Sequence, residues 1–259
     1  MGAFRPLMRR LRAAISPRRA LLALLLTVPA VPALAGACPS LPHPAIASAR
    51  FAEARGRVDG VRIVAFGSSS TAGAGASEPG HTYPALLEAR LRAALDVPVT
   101  VLNRGRGGED ADNMLVRLDR DVIAERPDLV IWQLGANAAM RRMDPAAFAG
   151  SVREGVHRLR EAGIDVVLMD NQRAPRIAAN PDHDRFDAAL AEIAATTPGV
   201  ALFSRGTLMD RWTVAGVPPA ALLVPDELHH NDRGYACVAE AMAEALLASP
   251  PPILARRAR

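Results

Sequence analysis

A single three-layer α/β/α domain built around a five-stranded parallel sheet is the fold that this sequence of 259 residues predicts. Five short, continuous apolar runs indicate strands that are covered on both faces, as in parallel sheets. Stretches with helical spacing alternate with these runs, which is typical of β-α-β units joined by right-handed crossovers. We expect functional residues in the loops after the strands, where open α/β sheets carry their sites.

The first strand is predicted at residues 61–66, an apolar run that breaks into a loop of Gly, Ser, Thr and Ala at residues 67–77. A helix follows at residues 82–95, where four leucines recur at helical spacing. The second strand, at residues 97–102, leads into a glycine-rich loop at residues 104–108. Both loops are therefore positioned to carry functional groups.

The middle of the chain continues the alternation. A helix is predicted over residues 111–125 and a strand over residues 129–134. The next helix, over residues 145–162, ends at Gly163, a residue type that is common just beyond helix C-termini. The fourth strand, at residues 164–169, follows at once.

The last part of the chain completes the predicted sheet. A helix that ends near Ala195 leads into the fifth strand at residues 200–203. Residues 204–224 are apolar and contain two prolines, which predicts short helices or a lid-like loop. A final helix ends near Ala248, with Asp232 as its candidate N-cap.

The two ends of the chain differ from the domain in composition. Residues 1–37 resemble a secretory signal peptide, with an Arg-rich start, an apolar stretch and small-residue cleavage sites. The apolar stretch is shorter than the roughly 20 residues of a membrane span. We therefore expect a periplasmic or secreted protein without a stable membrane span after processing. The remaining parts are a Pro-rich lead-in at residues 38–60 with a short helix, the domain at residues 61–249, and a basic tail at residues 250–259.

The charge distribution excludes several classes of function. The formal net charge is +4, but six of the 31 basic residues precede residue 36, and the rest of the chain is close to neutral. No basic stripe with interleaved aromatic residues is present, so nucleic-acid binding is not expected. The chain contains no Lys, which argues against a Walker-type phosphate loop. No cofactor or metal is expected, because the adjacent His229 and His230 rarely point the same way and no further ligand cluster accompanies them.

Two cysteines, Cys38 and Cys237, fit an oxidising compartment and are candidates for a disulfide. Apolar neighbours place Cys237 on or near the buried side of the last helix. Cys38 follows the predicted cleavage region, so a lipid-bearing first residue is an alternative. That alternative is the weaker one, because Ala35 stands where lipoprotein signals usually have Leu.

Residues with the chemistry of ester hydrolysis stand in loops after successive sheet elements. Ser69 is a candidate nucleophile. Asp226 and His229 lie three residues apart, a spacing that lets the imidazole reach a serine while the carboxylate fixes its tautomer. The Gly108 backbone N–H and the Asn137 amide are suited to stabilise a developing oxyanion. Each residue alone also has a structural interpretation, because serines cap turns and glycines supply turn geometry.

Taken together, four loop segments resemble blocks one, two, three and five of the SGNH, or GDSL-like, serine hydrolases, in the order of that family. The segments are Phe66-Gly67-Ser68-Ser69-Ser70-Thr71-Ala72-Gly73, Leu102-Asn103-Arg104-Gly105-Arg106-Gly107-Gly108, Leu134-Gly135-Ala136-Asn137 and Asp226-Glu227-Leu228-His229. Each motif alone is weak, and the specificity lies in their joint occurrence over residues 61–235.

The resemblance implies a flavodoxin-like SGNH hydrolase fold and a role for each matching residue. Ser69 is the implied nucleophile, His229 the general base and acid, and Asp226 its orienting partner. The implied oxyanion hole consists of the backbone N–H groups of Ser69 and Gly108 and the side chain of Asn137.

Two positions depart from the family pattern. Ser68 stands where the family usually has Asp before the nucleophile, and Ala138 stands where an Asp often follows the block-three Asn. Both changes leave the implied catalytic groups intact. They affect the expected rigidity of the loops and the substrate preference.

The sequence thus predicts an exported serine esterase that cleaves a small-molecule or carbohydrate ester through an acyl-serine intermediate. Acyl transfer or polysaccharide O-deacetylation by the same triad is an alternative. A non-catalytic binding module on the same fold is another. The acyl chain and the alcohol of the substrate do not follow from the sequence.

Overall fold

The computed structural model describes residues 1–2 and 38–249. The predicted signal peptide at residues 1–37, apart from its first two residues, and the predicted basic tail lie outside the described residues. Among the described residues, no helix has both the length and the apolar character needed to cross a membrane.

All five predicted strands lie in one parallel sheet with the order β2-β1-β3-β4-β5. The strands are β1 (Val61–Gly67), β2 (Val99–Gly105), β3 (Leu129–Gln133), β4 (Asp165–Met169) and β5 (Val200–Phe203). Every residue of β3 and β4 is buried, so both faces of the sheet are covered at its centre. The predicted α/β fold is therefore confirmed, with the flavodoxin-like strand order.

Ten α-helices connect and cover the strands within the described residues. They are α1 (Ala49–Ala54), α2 (Ser69–Ala72), α3 (Tyr83–Ala94), α4 (Ala111–Asp121), α5 (Ala136–Met140), α6 (Pro145–Glu161), α7 (Pro175–Ala178), α8 (His183–Thr196), α9 (Arg205–Val214) and α10 (Asp232–Leu247). The segment predicted as short helices or a lid-like loop contains α9 and a single 3-10 turn at Pro219–Ala221. The longer helices agree with the sequence pattern, the short α2 lies in the loop predicted at residues 67–77, and the short α5 and α7 were not among the predicted helices.

The lead-in packs on the same core as the rest of the domain. Helix α1 begins after Ser48, whose hydroxyl accepts a hydrogen bond from the Phe51 N–H, and Phe51 is fully buried. Cys38 and Cys237 are joined by a disulfide with a Cα–Cα distance of 5.4 Å. This bond ties the start of the lead-in to α10.

Strand β2 differs from its predicted bounds. It begins only after Pro98, which has no N–H to donate, and continues to Gly105. All seven of its residues pair with β1, from Val61 opposite Val99 to Gly67 opposite Gly105. The start of the predicted glycine loop is therefore strand, because pairing with β1 extends to the end of that strand.

The N-cap of the last helix was also predicted wrongly. Asn231, not Asp232, caps α10, and its side chain accepts a hydrogen bond from the Gly234 N–H. The Asp232 carboxylate accepts instead from the N–H and the hydroxyl of Ser77, at 2.8 and 2.6 Å. Both residue types favour N-cap positions, so local preference alone did not distinguish them.

Candidate active site

The candidate nucleophile lies directly after β1, an inner strand that pairs with β2 on one side and with β3 on the other. Gly67 ends this strand, and Ser69 opens the four-residue helix α2. Of the three consecutive serines, Ser68 and Ser70 are buried, whereas Ser69 is partly exposed. Only Ser69 therefore combines a position at the strand end with access to solvent.

Glycine is required where α2 meets the sheet. A Cβ atom at Gly67 would lie 2.3 Å from Thr71 Oγ1, and one at Gly105 would lie 2.1 Å from the Ala72 backbone nitrogen. Both distances are far shorter than real contacts of a Cβ atom. The two glycines thus let α2 pack directly on the ends of β1 and β2, which fixes the position of Ser69.

Ser68, the departure from the family pattern, has a specific partner. Its N–H and its hydroxyl both donate to Gln133 Oε1 at 3.0 Å, and Gln133 is the fully buried last residue of β3. In this orientation of the Gln133 amide, the oxygen faces residue 68 and therefore matches a donor there. The Ser68–Gln133 pair therefore joins the residue before the candidate nucleophile to the end of β3.

Asp226 organises the loop that carries the candidate histidine. Its Oδ1 accepts from the N–H groups of Leu228 and His229, both at 2.9 Å, and its Oδ2 accepts from His229 Nδ1 at 2.5 Å. Burial by itself would raise the pKa of Asp226, but the hydrogen bonds from the His229 backbone and imidazole hold it below its ordinary value. The carboxylate is thus ionised at neutral pH and keeps the Nδ1 proton facing it.

The other imidazole nitrogen reaches the candidate nucleophile. His229 Nε2 lies 2.7 Å from Ser69 Oγ. The Val224 N–H donates to the His229 carbonyl at 2.9 Å, which closes the loop around Asp226. A Cβ atom at Gly75 would lie 3.2 Å from the His229 Cβ atom, so the chain after α2 packs against the histidine. The structure thus brings Asp226, His229 and Ser69 together as one hydrogen-bonded series.

The neighbouring histidine points elsewhere. His230 is fully buried, and its Nδ1 donates to the Leu222 carbonyl at 3.1 Å. Burial, and then the nearby charge of Arg205, lower the pKa of His230 to about 3. His230 is therefore a neutral core residue at physiological pH, held by the Leu222 carbonyl, whereas His229 contacts Asp226 and Ser69.

The candidate oxyanion donors are the Ser69 N–H and two groups that belong to, or contact, the loop of residues 107–109. The Gly108 N–H is presented by a backbone with a φ of 80°, and neither this group nor the Ser69 N–H donates to another protein atom within residues 38–249. Asn137 Nδ2 donates one of its two hydrogens to the Glu109 carbonyl at 2.7 Å, which leaves the second for a ligand. A Cβ atom at Gly107 would lie 3.9 Å from the Ser69 Cβ atom, so this loop lies beside the nucleophile.

Sequence reasoning missed a buried arginine beneath this loop. Arg117 has an exposed fraction of only 3%, and it donates to the carbonyls of Gly67 and Arg104 and to the Glu109 carboxylate. Its guanidinium also lies over the Phe66 ring, 4.3 Å from the centroid. A charged residue within the apolar stripe of α4 was the available signal. Arg117 thus connects the ends of β1 and β2 to the loop of Gly108.

A second arginine holds the same loop from the side of α5. Arg141 Nη2 donates to the Gly108 carbonyl at 2.6 Å, and its Nη1 lies 2.5 Å from Asp110 Oδ2. Arg141 is four residues after Asn137, so both side chains project from one face of this helical turn. Together they fix the direction of the Gly108 peptide.

The comparisons with known proteins agree with this fold. The model of the non-GDSL lipase-like family matches residues 40–249. An arylesterase from Vibrio mimicus is 25% identical over 167 residues, which cover 64% of this chain and 78% of the relative. Two solved structures are similar in fold. Acetylxylan esterase Axe2 from Geobacillus stearothermophilus has a TM-score of 0.60 and 21% identity, and the match covers 72% of this chain and 94% of the Axe2 chain. A lipase/acylhydrolase from Enterococcus faecalis has a TM-score of 0.59 and 24% identity, and the match covers 71% of this chain and 94% of the lipase/acylhydrolase chain.

These findings confirm the resemblance at the level of family and enzyme type. The family match extends over the lead-in and the whole sheet, and the relatives are esterases and lipolytic enzymes. The replacement of Asp by Ser68 is consistent with a family described as non-GDSL. The chain belongs to the non-GDSL lipase-like family and is an SGNH-type esterase.

Proposed function

We propose that this protein is an exported esterase that cleaves carboxylic esters through an acyl-serine intermediate at Ser69. The observation that carries the proposal is the unbroken series of hydrogen bonds from Asp226 through His229 to Ser69, at 2.5 and 2.7 Å. Because the carboxylate can only accept, the Nδ1 proton faces Asp226 and the Nε2 lone pair faces the hydroxyl. This is the tautomer that a general base for serine requires.

In the acylation step, Ser69 Oγ attacks the ester carbonyl carbon while His229 Nε2 takes the hydroxyl proton. The electron pair of the C=O bond moves to oxygen, where the N–H groups of Ser69 and Gly108 and the second N–H of Asn137 stabilise the charge. When the carbonyl re-forms, the C–O bond to the alcohol breaks, and the alcohol takes the proton from Nε2. Water then repeats the sequence, releases the acid and restores Ser69.

The substrate class that we propose is a small-molecule or carbohydrate ester. The arylesterase relative makes aryl acetates the first substrates to test. A series of p-nitrophenyl esters with increasing acyl length, together with acetylated xylo-oligosaccharides, measures the preference for acyl group and alcohol. Addition of an acceptor alcohol distinguishes transfer from hydrolysis, because the two reactions compete for one acyl-enzyme.

The nucleophile is tested by labelling with a fluorophosphonate and mapping the modified peptide. We expect a single adduct on Ser69, and we expect Ser69→Ala to abolish both labelling and turnover while its circular dichroism spectrum stays that of the wild type. An adduct on Ser68 or Ser70, or undiminished turnover by Ser69→Ala, contradicts the assignment. A folded wild-type protein that is neither labelled nor active favours the binding-module alternative.

Export is the second part of the proposal. The Arg-rich start, apolar stretch and small-residue sites of residues 1–37 support a cleaved signal, and the paired Cys38 and Cys237 fit an oxidising compartment. Lipidation of Cys38 competes with the disulfide, since both use the same sulfur. Intact-mass measurement of protein from the envelope or the medium is expected to show a start near Gly36 or Cys38 and no free thiol. A retained leader or two free thiols contradicts this proposal.

A further inference from the structure

We propose that Gln172 and Arg205 form a positioning pair that sets the orientation of His229 toward Ser69. Neither side chain touches the reacting atoms, and both lie beneath the loop that carries Asp226 and His229. The inference rests on the proposed function, because it assigns to this pair a role in the reaction of the same triad.

The first step of the argument is the peptide group between Leu228 and His229. Gln172 Nε2 donates to the Leu228 carbonyl at 2.9 Å. The N–H of the same peptide group belongs to His229 and donates to Asp226 Oδ1 at 2.9 Å. One peptide plane is thus held at its oxygen by Gln172 and at its nitrogen by Asp226. Because a peptide is planar, these two bonds fix where the His229 side chain leaves the backbone.

The loop needs this restraint because its backbone is not in a relaxed conformation. Glu227 has a φ of 58°, the left-handed region that residues with a Cβ atom rarely adopt. Such a conformation persists only where the surroundings hold it. Asp226 is an exposed residue, whereas Gln172 has an exposed fraction of 1%, so the bond from Gln172 is the one that is shielded from competing water.

Arg205 decides which way the Gln172 amide faces. Arg205 Nη2 donates to Gln172 Oε1 at 2.5 Å. A guanidinium has only donors, so the amide oxygen must face Arg205 and the amide nitrogen must face the Leu228 carbonyl. Without Arg205, the two orientations of the amide would differ much less in energy, and one of them would bring two oxygens together.

Arg205 is itself held by the end of β4. Its Nε and Nη2 donate to the Asp170 carbonyl at 3.2 and 3.0 Å, and its exposed fraction is 1%. The Asp170 carboxylate accepts from the Gly206 N–H at 2.9 Å and from the Ser204 hydroxyl at 2.5 Å, which secures the first turn of α9. A buried series of hydrogen bonds thus leads from β4 through Arg205 and Gln172 to the loop of the catalytic histidine.

The test is the near-isosteric substitution Gln172→Glu. The new carboxylate still accepts from Arg205 but turns its second oxygen toward the Leu228 carbonyl oxygen, so the peptide group must move. We expect kcat for p-nitrophenyl acetate to fall by about 10- to 100-fold, because a misplacement of about 1 Å in an active site costs about 100-fold. We expect KM to be unchanged, since no substrate contact is altered.

The matched control is Asp165→Asn, at the start of β4, whereas Gln172 follows the end of that strand. Asp165 is buried and accepts hydrogen bonds from the Ser48 hydroxyl and the Arg50 N–H, far from the triad. Like Gln172→Glu, this variant exchanges a carboxylate and an amide at a buried position, here at the first residue of β4. We expect it to lower the melting temperature and to leave kcat unchanged.

A direct readout is the low-field proton NMR signal of the His229 Nδ1 proton that faces Asp226, identified by its absence in Asp226→Asn. We expect this signal to shift or vanish in Gln172→Glu and to persist in Asp165→Asn. Wild-type kcat with an unshifted signal in Gln172→Glu overturns the inference, and so does an equal loss of kcat in both variants. If the wild-type protein neither turns over esters nor reacts with the phosphonate, the proposed function fails. The shift of the signal alone then supports or overturns the positioning pair.

Discussion

The two halves of the proposed active site are held in place in different ways. The nucleophile half consists of Ser69, Gly108 and Asn137, which follow the ends of the neighbouring strands β1, β2 and β3. The histidine half consists of Asp226 and His229, in a loop that follows no strand of the sheet. Backbone pairing in the sheet places the strand ends from which the first half starts, whereas side-chain hydrogen bonds join the loop of the second half to the end of β4.

A buried arginine supports each half, and the contrast between the two arginines shows the difference. Arg117 donates to the backbone carbonyls of Gly67 and Arg104, which the sheet already holds in register. Arg205 donates to the Asp170 carbonyl and to the Gln172 side chain, which in turn reaches the loop. The histidine half therefore depends on a longer series of side chains, and we expect it to be the more sensitive half.

The largest expected effect comes from Asp226→Asn in the histidine half. The Asn Oδ1 still accepts from the N–H groups of Leu228 and His229, so the loop keeps its shape. Its Nδ2 faces His229 Nδ1 and imposes the wrong tautomer, and we expect kcat to fall by about 10⁴-fold. Steady-state kinetics measures this. Glu227→Gln is the matched control, because it removes the neighbouring exposed carboxylate without touching His229. An equal loss in both variants would show that charge alone, and not the tautomer, is responsible.

The next effect tests the nucleophile half through Asn137→Ala. Loss of one oxyanion donor lowers kcat by about 100- to 1,000-fold, and KM is expected to stay the same. The control is Asn180→Ala, because the Asn180 amide donates to the Ala139 carbonyl of the same helix α5 but is buried away from the site. If Asn137→Ala loses less than about 10-fold, the side chain serves only to anchor the Glu109 carbonyl.

The response to acid sharpens the comparison, because the histidine half contains buried His230. Its pKa is about 3 in the folded protein, against about 6.5 in the unfolded chain. Between these two pH values, the imidazole binds a proton in the unfolded chain but not in the folded protein. The contribution of this residue to stability is therefore complete above pH 6.5 and decreases as the pH falls, by up to about 1.4 kcal/mol per pH unit.

The variant His230→Gln removes the titrating imidazole, and the amide of the new Gln can still donate a hydrogen bond to the Leu222 carbonyl. We measure the free energy of unfolding by urea denaturation between pH 7 and pH 4. Its slope against pH is expected to be smaller in His230→Gln than in the wild type, by an amount equivalent to the binding of up to about one proton. His157→Gln, at an exposed position on α6, is expected to keep the wild-type slope. Equal slopes in the wild type and in His230→Gln would contradict the assignment of a neutral, buried imidazole.

The smallest effect is expected from Ser68→Ala in the nucleophile half. The hydroxyl bond to Gln133 is lost, but the residue 68 N–H still donates to the same oxygen, so the cost is about 0.5–1.5 kcal/mol of unfolding free energy. We expect phosphonate labelling and kcat to stay near wild type. Ser68→Asp restores the usual family residue. We expect it to be less stable than the wild type, because its carboxylate would face the Gln133 amide oxygen unless that amide turns over and gives up its bond from the residue 68 N–H. Loss of labelling in Ser68→Ala would mean that Ser68 takes part in the chemistry.

Much of the nucleophile half was predictable from local sequence. The apolar runs located all five strands, and the small residues after β1 and β2 placed the loops at the strand ends. Strand boundaries were less accurate, since pairing with β1 carried β2 on to Gly105. The N-cap of α10 was missed because Asn231 and Asp232 have similar local preferences, and contacts with the Ser77 loop distinguish them.

By itself, the sequence determined the fold class, the order of the motifs and the residue types that ester chemistry requires, because apolar periodicity and turn residues act over a few positions of the chain. Only the tertiary structure decided that Ser68 pairs with Gln133, that Arg117 lies under the Gly108 loop, and that Arg205 and Gln172 form a series of hydrogen bonds to the Leu228 carbonyl. These partners are separated by between 8 and 65 positions along the chain. Buried polar groups find partners wherever folding brings a matching donor or acceptor, and no local pattern records that match.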